Sequence, residues 1–142
     1  MNNEAAKKHG TKKLAKILTV QSIAHEANGL AEAPAYAIRK ALVKTGLTLD
    51  DMKLIEINEA FAAVPLTSTR ILSEGNDKKW QELKDKTNVN GGAIAVGHPI
   101  GASGGRILMT LINELRRRGG GMGICAICGG LAQADAAIVC VD

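Results

Sequence analysis

The sequence predicts an α/β layered domain, and three observations predict it. Apolar, β-branched runs alternate with stretches of helical periodicity along the chain. The runs are nearly continuously hydrophobic, as strands covered on both faces are. No internal repeat or Pro-rich linker divides the 142 residues, so one layered core is expected. A chain of this length buries roughly 70% of the surface it exposes when unfolded. Aromatic residues make up only 2%, so Ala, Ile, Leu and Val must build the core.

The expected order is a leading helix followed by β-α-β-α-β-α-β-β. Asn2 or Asn3 caps a short helix over Glu4 to His9, and Gly10 stops it. Leu14 to Ile23 alternates like a strand, and His25 to Ala33 is small and polar, a loop. Pro34 opens a helix with Ala35, Ile38, Ala41 and Leu42 on one face, and Gly46 closes it. After a turn at Thr48 to Asp51, Leu54 to Ile57 forms a short apolar strand. A helix follows from Glu59 to about Ser73, which Pro65 must bend or start late. Residues 74–86 are the most charged stretch, a surface insertion with a helical turn around Trp80. Thr87 to Asn90 reads as a further short strand.

From Ile100 or Ala102 a long helix runs to Arg118, with Ile107, Leu108, Leu111, Ile112 and Leu115 as its stripe. Arginines at its end complement the negative end of the helix dipole. Met122 to Cys128 and Ala134 to Val141 are apolar strands joined as a hairpin.

Charge and composition exclude several functions. The net charge of +4 is mild, its lysines and arginines lack interleaved aromatic platforms, and no nucleic-acid motif is present. The start of the chain has no apolar signal core, and no uncharged run is long enough for a membrane span. Three cysteines, an odd number, point to free thiols in a reducing compartment, and a cytoplasmic location is expected. Cys125-x-x-Cys128 has metal or redox spacing, but no second pair completes a zinc site, so no metal is expected. Gly101-x-x-Gly104 lacks the Lys-Ser/Thr of a phosphate-binding loop.

Polarity departs from pattern at three places. Asn58 and Glu59 stand where a strand gives way to a helix, His98 lies in a strand-to-helix loop, and Cys128 ends the penultimate strand. The carboxyl ends of parallel strands share one edge, so these residues can converge there. Taken singly, Asn58 suits a helix cap, His98 a structural hydrogen-bonder, and Cys128 a small buried hydrophobe. The surrounding glycines favour a site. The stretch NVNGGAIAVGHPIGASGGR holds one histidine and no carboxylate, and ordering so much glycine costs entropy that a fold rarely spends without cause.

Together these loops resemble the C-terminal half of a thiolase (acetyl-CoA acetyltransferase, 3-ketoacyl-CoA thiolase). Asn58-Glu59-Ala60-Phe61 matches the family's NEAF motif, NVNGGAIAVGHPIGASGGRI its GHP signature, and GMGICAICGGLAQADAAIV its closing Cys-x-Gly-Gly hairpin. The likeness extends through PAYAIRKAL over essentially the whole chain. It implies a thiolase-like layered fold and acyl transfer between CoA thioesters, with CoA thioester as substrate and no tightly bound cofactor. It also implies roles. His98 would assist deprotonation of a nucleophilic cysteine and help bind the thioester oxygen. Asn58 would hold a water completing that first oxyanion hole, and the N–H of Gly130 would contribute to a second. Cys128 would be the acid/base.

Thiolases are duplicated, and their nucleophilic cysteine belongs to the N-terminal half, which no part of this chain resembles. Residues 1–13 are expected to be a remnant of that half, and residues 14–142 the C-terminal domain. The implied partners are an N-terminal half and further copies in a homo-oligomer. The competing expectation is a non-catalytic subunit using the half-fold as a dimerisation module.

Overall fold

One four-stranded sheet organises the computed structural model, which describes residues 1–142. Its strands are β1 (Lys16–Ala24), β2 (Met52–Ile57), β3 (Gly121–Cys128) and β4 (Gln133–Val141), in the order β1-β4-β3-β2. β2 and β3 are parallel, with Ile57 opposite Ala126, while β4 runs antiparallel to both its neighbours. The helices are α1 (Asn3–Lys8), α2 (Ala33–Thr45), α3 (Ala63–Leu72), α4 (Asp77–Asp85), α5 (Ala93–Val96) and α6 (Ser103–Arg117).

Helix α2 covers one face. Pro34 sits in its first turn, where a missing N–H costs nothing, and Gly46 closes it in the left-handed conformation. Its buried stripe of Ala33, Ala35, Ala37, Ile38, Ala41 and Leu42 packs with Ile55, Ile57, Ile124, Ala126 and Ile138 of the sheet. Burying side chains such as Ile38 and Ile124 stabilises the fold by about 1.5–3 kcal/mol each. Helix α6 covers part of the other face, placing Ile107, Leu111, Ile112 and Leu115 against Leu54, Cys125, Val139 and Val141. It lies close to β3 because Gly123 has no side chain. A Cβ there would stand 2.7 Å from Leu111 Cδ1 and 3.0 Å from Leu115 Cδ1.

Four expectations need correction. Thr87 to Asn90 is not a strand; it makes only isolated bridges, Ile55 to Thr87 and Val89 to Gly91. The helix expected from Glu59 begins at Ala63, because Pro65 has no N–H to donate and is accommodated only in a first turn. The charged insertion is a full helix, α4, capped by Asn76. Coverage of the sheet is incomplete, since Ile17 and Val20 of the edge strand β1 are exposed. No helix is long and apolar enough to cross a membrane.

Candidate active site

Strand β2 delivers Asn58. The backbone N–H of Asn58 donates to Ala126 O at 3.0 Å, so the residue leaves the sheet beside β3, and it is fully buried. With α3 starting only at Ala63, Asn58 caps no helix. Its amide Nδ2 lies 3.3 Å from His98 Nε2, and its Oδ1 accepts from Arg106 Nη2 at 3.3 Å. His98 Nδ1 in turn lies 2.6 Å from the hydroxyl of Ser103, which donates to Pro99 O at 3.2 Å. Two of the sequence-selected residues, 40 positions apart, thus share one hydrogen-bonded chain.

The glycine loop is held from below by Glu59. Its Oε2 accepts from the N–H of Ile94 at 3.0 Å and its Oε1 from Asn88 Nδ2 at 3.1 Å. Gly92 makes room for that carboxylate, since a Cβ there would fall 2.5 Å from it. Asn88 reaches the other way as well, donating from Nδ2 to Ile57 O and accepting at Oδ1 from Ile57 N, both at 2.8 Å. Gly92 therefore serves a close approach of backbone to a half-buried carboxylate, with His98 carried on the exposed outer turn.

Cys128 ends β3, two residues beyond the carbonyl that holds Asn58. It is buried, and burial pushes its thiol pKa up, opposed by its own backbone N–H and by that of Gly130. Its hydrogen-bonding neighbours are these amides rather than His98 or Asn58. Leu131 and Ala132, in the turn that follows, both hold left-handed backbone, which non-glycine residues adopt at a cost. Cys125 belongs to the opposite face, among Leu54 and Leu111, where burial pushes its thiol up to about 12. All three cysteines are free, and no cluster of residues suited to a metal is present.

Residues 11–141 match the family model described as the C-terminal domain of thiolase. The chain belongs to the thiolase family. It is 45% identical over 139 residues to an acetyl-CoA acetyltransferase of Syntrophomonas wolfei, covering 98% of this chain and 34% of that protein. It is 42% identical over 138 residues to the beta-ketoadipyl-CoA thiolase of Acinetobacter baylyi, covering 97% and 33%. Its fold superimposes on the crystal structure of human mitochondrial 3-ketoacyl-CoA thiolase in complex with CoA, with a TM-score of 0.88 and 43% identity. That match covers 99% of this chain and 34% of the other. The chain spans about a third of the length of these thiolases.

Within this thiolase domain, Ser103 and Arg106 escaped the sequence reading. Both lie on α6, three residues apart and so on one helical face; Ser103 turns toward the loop that precedes it, and Arg106 reaches Asn58 at the end of β2. The available signal was a polar pair on the stripe that continues into Ile107.

Proposed function

We propose that this thiolase-family chain supplies the acid/base and oxyanion part of a site for acyl transfer between CoA thioesters. The observation that carries this is the contact of the Asn58 amide with His98 Nε2, built from two distant motifs onto one sheet edge. In this reading His98 Nε2 takes the proton of a nucleophilic thiol, supplied by an N-terminal half. That thiolate attacks the thioester carbonyl while the His98 ring and an Asn58-held water receive the charge on oxygen.

The departing CoA thiolate takes a proton from Cys128. The Cys128 thiolate then removes a proton from C2 of a second acetyl-CoA, whose enolate attacks the acyl-enzyme carbon, and the thiolate released from it takes its proton back from His98. One proton given and one taken returns Cys128 to its starting form, and the Gly130 N–H contributes to a second oxyanion hole. A thiol kept protonated by burial suits the first of these steps.

Phe61, Ile94, Ile100 and Leu131, exposed by 64, 65, 94 and 82%, stand on the loops that carry Asn58, His98 and Cys128. Exposed apolar residues grouped in this way favour a second polypeptide face over the site, which an N-terminal half would provide. Residues 1–13 would belong structurally to that half, and further copies would assemble as a homo-oligomer.

The test is acetoacetyl-CoA cleavage by the chain alone, by the chain with an N-terminal thiolase half, and by His98→Ala and Cys128→Ala in the complemented pair. No turnover alone, turnover on complementation, and losses of at least about 100-fold in both variants are expected. Turnover by the chain alone would overturn the assignment of the nucleophile. A stable complex without turnover would favour the non-catalytic dimerisation module instead.

A further inference from the structure

Arginine is only ever a hydrogen-bond donor, whereas a carboxamide carries a donor at one end and an acceptor at the other. Arg106 Nη2 lies 3.3 Å from the Asn58 side chain, so the amide must turn its oxygen to Arg106 and its NH2 toward His98. The nitrogen of His98 that meets this NH2 is Nε2, which must then be the acceptor. The ring proton is left on Nδ1, where Ser103 Oγ accepts it at 2.6 Å, and the Ser103 hydroxyl passes its own proton to Pro99 O. Each of the four links in the series Arg106, Asn58, His98, Ser103, Pro99 then runs from donor to acceptor, in one direction only.

Arg106 itself is not spent on a carboxylate. None of the ion pairs of the chain includes it, and its buried Nε has no partner. Glu56, buried on β2, is acted on by its charge without pairing with it. The side chain that its guanidinium does meet is Asn58, at Oδ1.

We propose that Arg106 is a positioning residue: its guanidinium locks the Asn58 amide in one orientation and thereby fixes neutral His98 as the Nδ1–H tautomer, with the Nε2 lone pair available as base. This deepens the functional reading above and rests on it for its purpose, but the tautomer exists without substrate. The Asn58 to His98 contact, at 3.3 Å, is long for a hydrogen bond. A thiol or water at Nε2 can therefore displace it at small cost. Without Arg106, the amide is free to turn its oxygen to Nε2 and favour the Nε2–H form, which offers no lone pair on that side.

The experiment is a long-range proton–nitrogen correlation spectrum of the imidazoles in the ¹⁵N-labelled full chain, at a pH where they are neutral. The His98 signals are identified by their loss in His98→Gln. The wild type is expected to show mainly the Nδ1–H form. Arg106→Met should lower the ratio of Nδ1–H to Nε2–H about tenfold, the scale of one hydrogen bond, and Arg106→Lys should bring it back toward the wild-type value. A wild-type ring protonated on Nε2, or an unchanged ratio in Arg106→Met, overturns the proposal. Should the backbone amide spectrum of Arg106→Met collapse, Arg106→Gln replaces it. Its amide can face Asn58 with either end, so a shift of the ratio toward Nε2–H supports the proposal and an unchanged ratio overturns it. Absence of turnover in the complemented enzyme bears on the functional reading alone, because the tautomer ratio is read without substrate.

Discussion

The side chain of Asn88 pairs with the backbone of Ile57 as a neighbouring strand would, donating to its carbonyl and accepting from its N–H, both at 2.8 Å. The backbone of Asn88 holds a left-handed conformation that carries its chain away from the sheet. One amide therefore finishes the β2 ladder at the residue before Asn58 and leaves the main chain free to enter the glycine loop.

Asn88→Ala should accordingly be costly. It leaves two polar groups of buried Ile57 without partners and puts a Cβ residue without a compensating amide in left-handed backbone. The two effects together predict a loss of about 2–4 kcal/mol. Urea denaturation of wild type and variant measures it. A change below about 0.5 kcal/mol would mean that water replaces the Asn88 amide without penalty.

Gly92→Ala tests the clamp beneath the His98 loop. The added Cβ would fall 2.5 Å from a Glu59 carboxylate that is held at both oxygens, so the carboxylate or the loop must shift. A destabilisation of about 1–3 kcal/mol is expected, with loss of protection at the Ile94 N–H, which donates to Glu59. Amide hydrogen exchange reads this directly. Wild-type protection at Ile94 would show that the loop is held by other contacts.

The elements whose signal is periodicity were legible in the sequence. β1, β2, β3, β4, α2 and α6 fall within a few residues of their expected places, because apolar spacing and Pro or Gly punctuation set them locally. The expected strand at Thr87 to Asn90 failed because the pairing beside Ile57 comes from a side chain, which no alternation of residues encodes. Asn58 could be selected because a polar residue at a strand end breaks the pattern, and His98 because it stands alone among the loop's glycines, although that loop joins α5 to α6 and follows no strand. Ser103 and Arg106 could not, because a serine and an arginine in a helix first turn read as ordinary surface until the fold brings His98 to the one and Asn58 to the other.

Thiol reactivity should follow burial rather than motif spacing. Cys140 is half-exposed, Cys128 is buried with its thiol pushed up, and Cys125 is pushed up to about 12. Iodoacetamide at about pH 8 should modify Cys140 first, Cys128 more slowly and Cys125 last, since only the thiolate reacts. Peptide mass spectrometry of a time course resolves the three sites. Labelling of Cys125 ahead of Cys140 would contradict the packing of Cys125 beneath α6.

The last prediction concerns Glu56 of β2, a residue only 3% exposed. Burial raises its pKa from 4.5 to about 7, with Arg106 opposing the shift and Glu59 and Glu114 adding to it. Between about pH 4.5 and 7 the folded chain therefore binds more protons at this site than the unfolded chain does. Stability from this group is full below the unfolded value and is lost as pH rises through the folded one. Glu114 acts in the opposite sense. Hydrogen bonds from Arg117 and Arg118 hold its carboxyl well below the usual range, so its contribution is present above the ordinary value and fades as pH falls through the folded one. The two are separated by substitution. Glu56→Gln keeps the shape and removes the charge, so it should be more stable than wild type by about 1–2 kcal/mol near pH 8, with the difference vanishing below about pH 4.5. Denaturant titrations of both proteins across this range give the comparison. A difference that stays constant with pH would mean that Glu56 ionises in the folded chain as it does in the unfolded one, with Arg106 fully offsetting its burial.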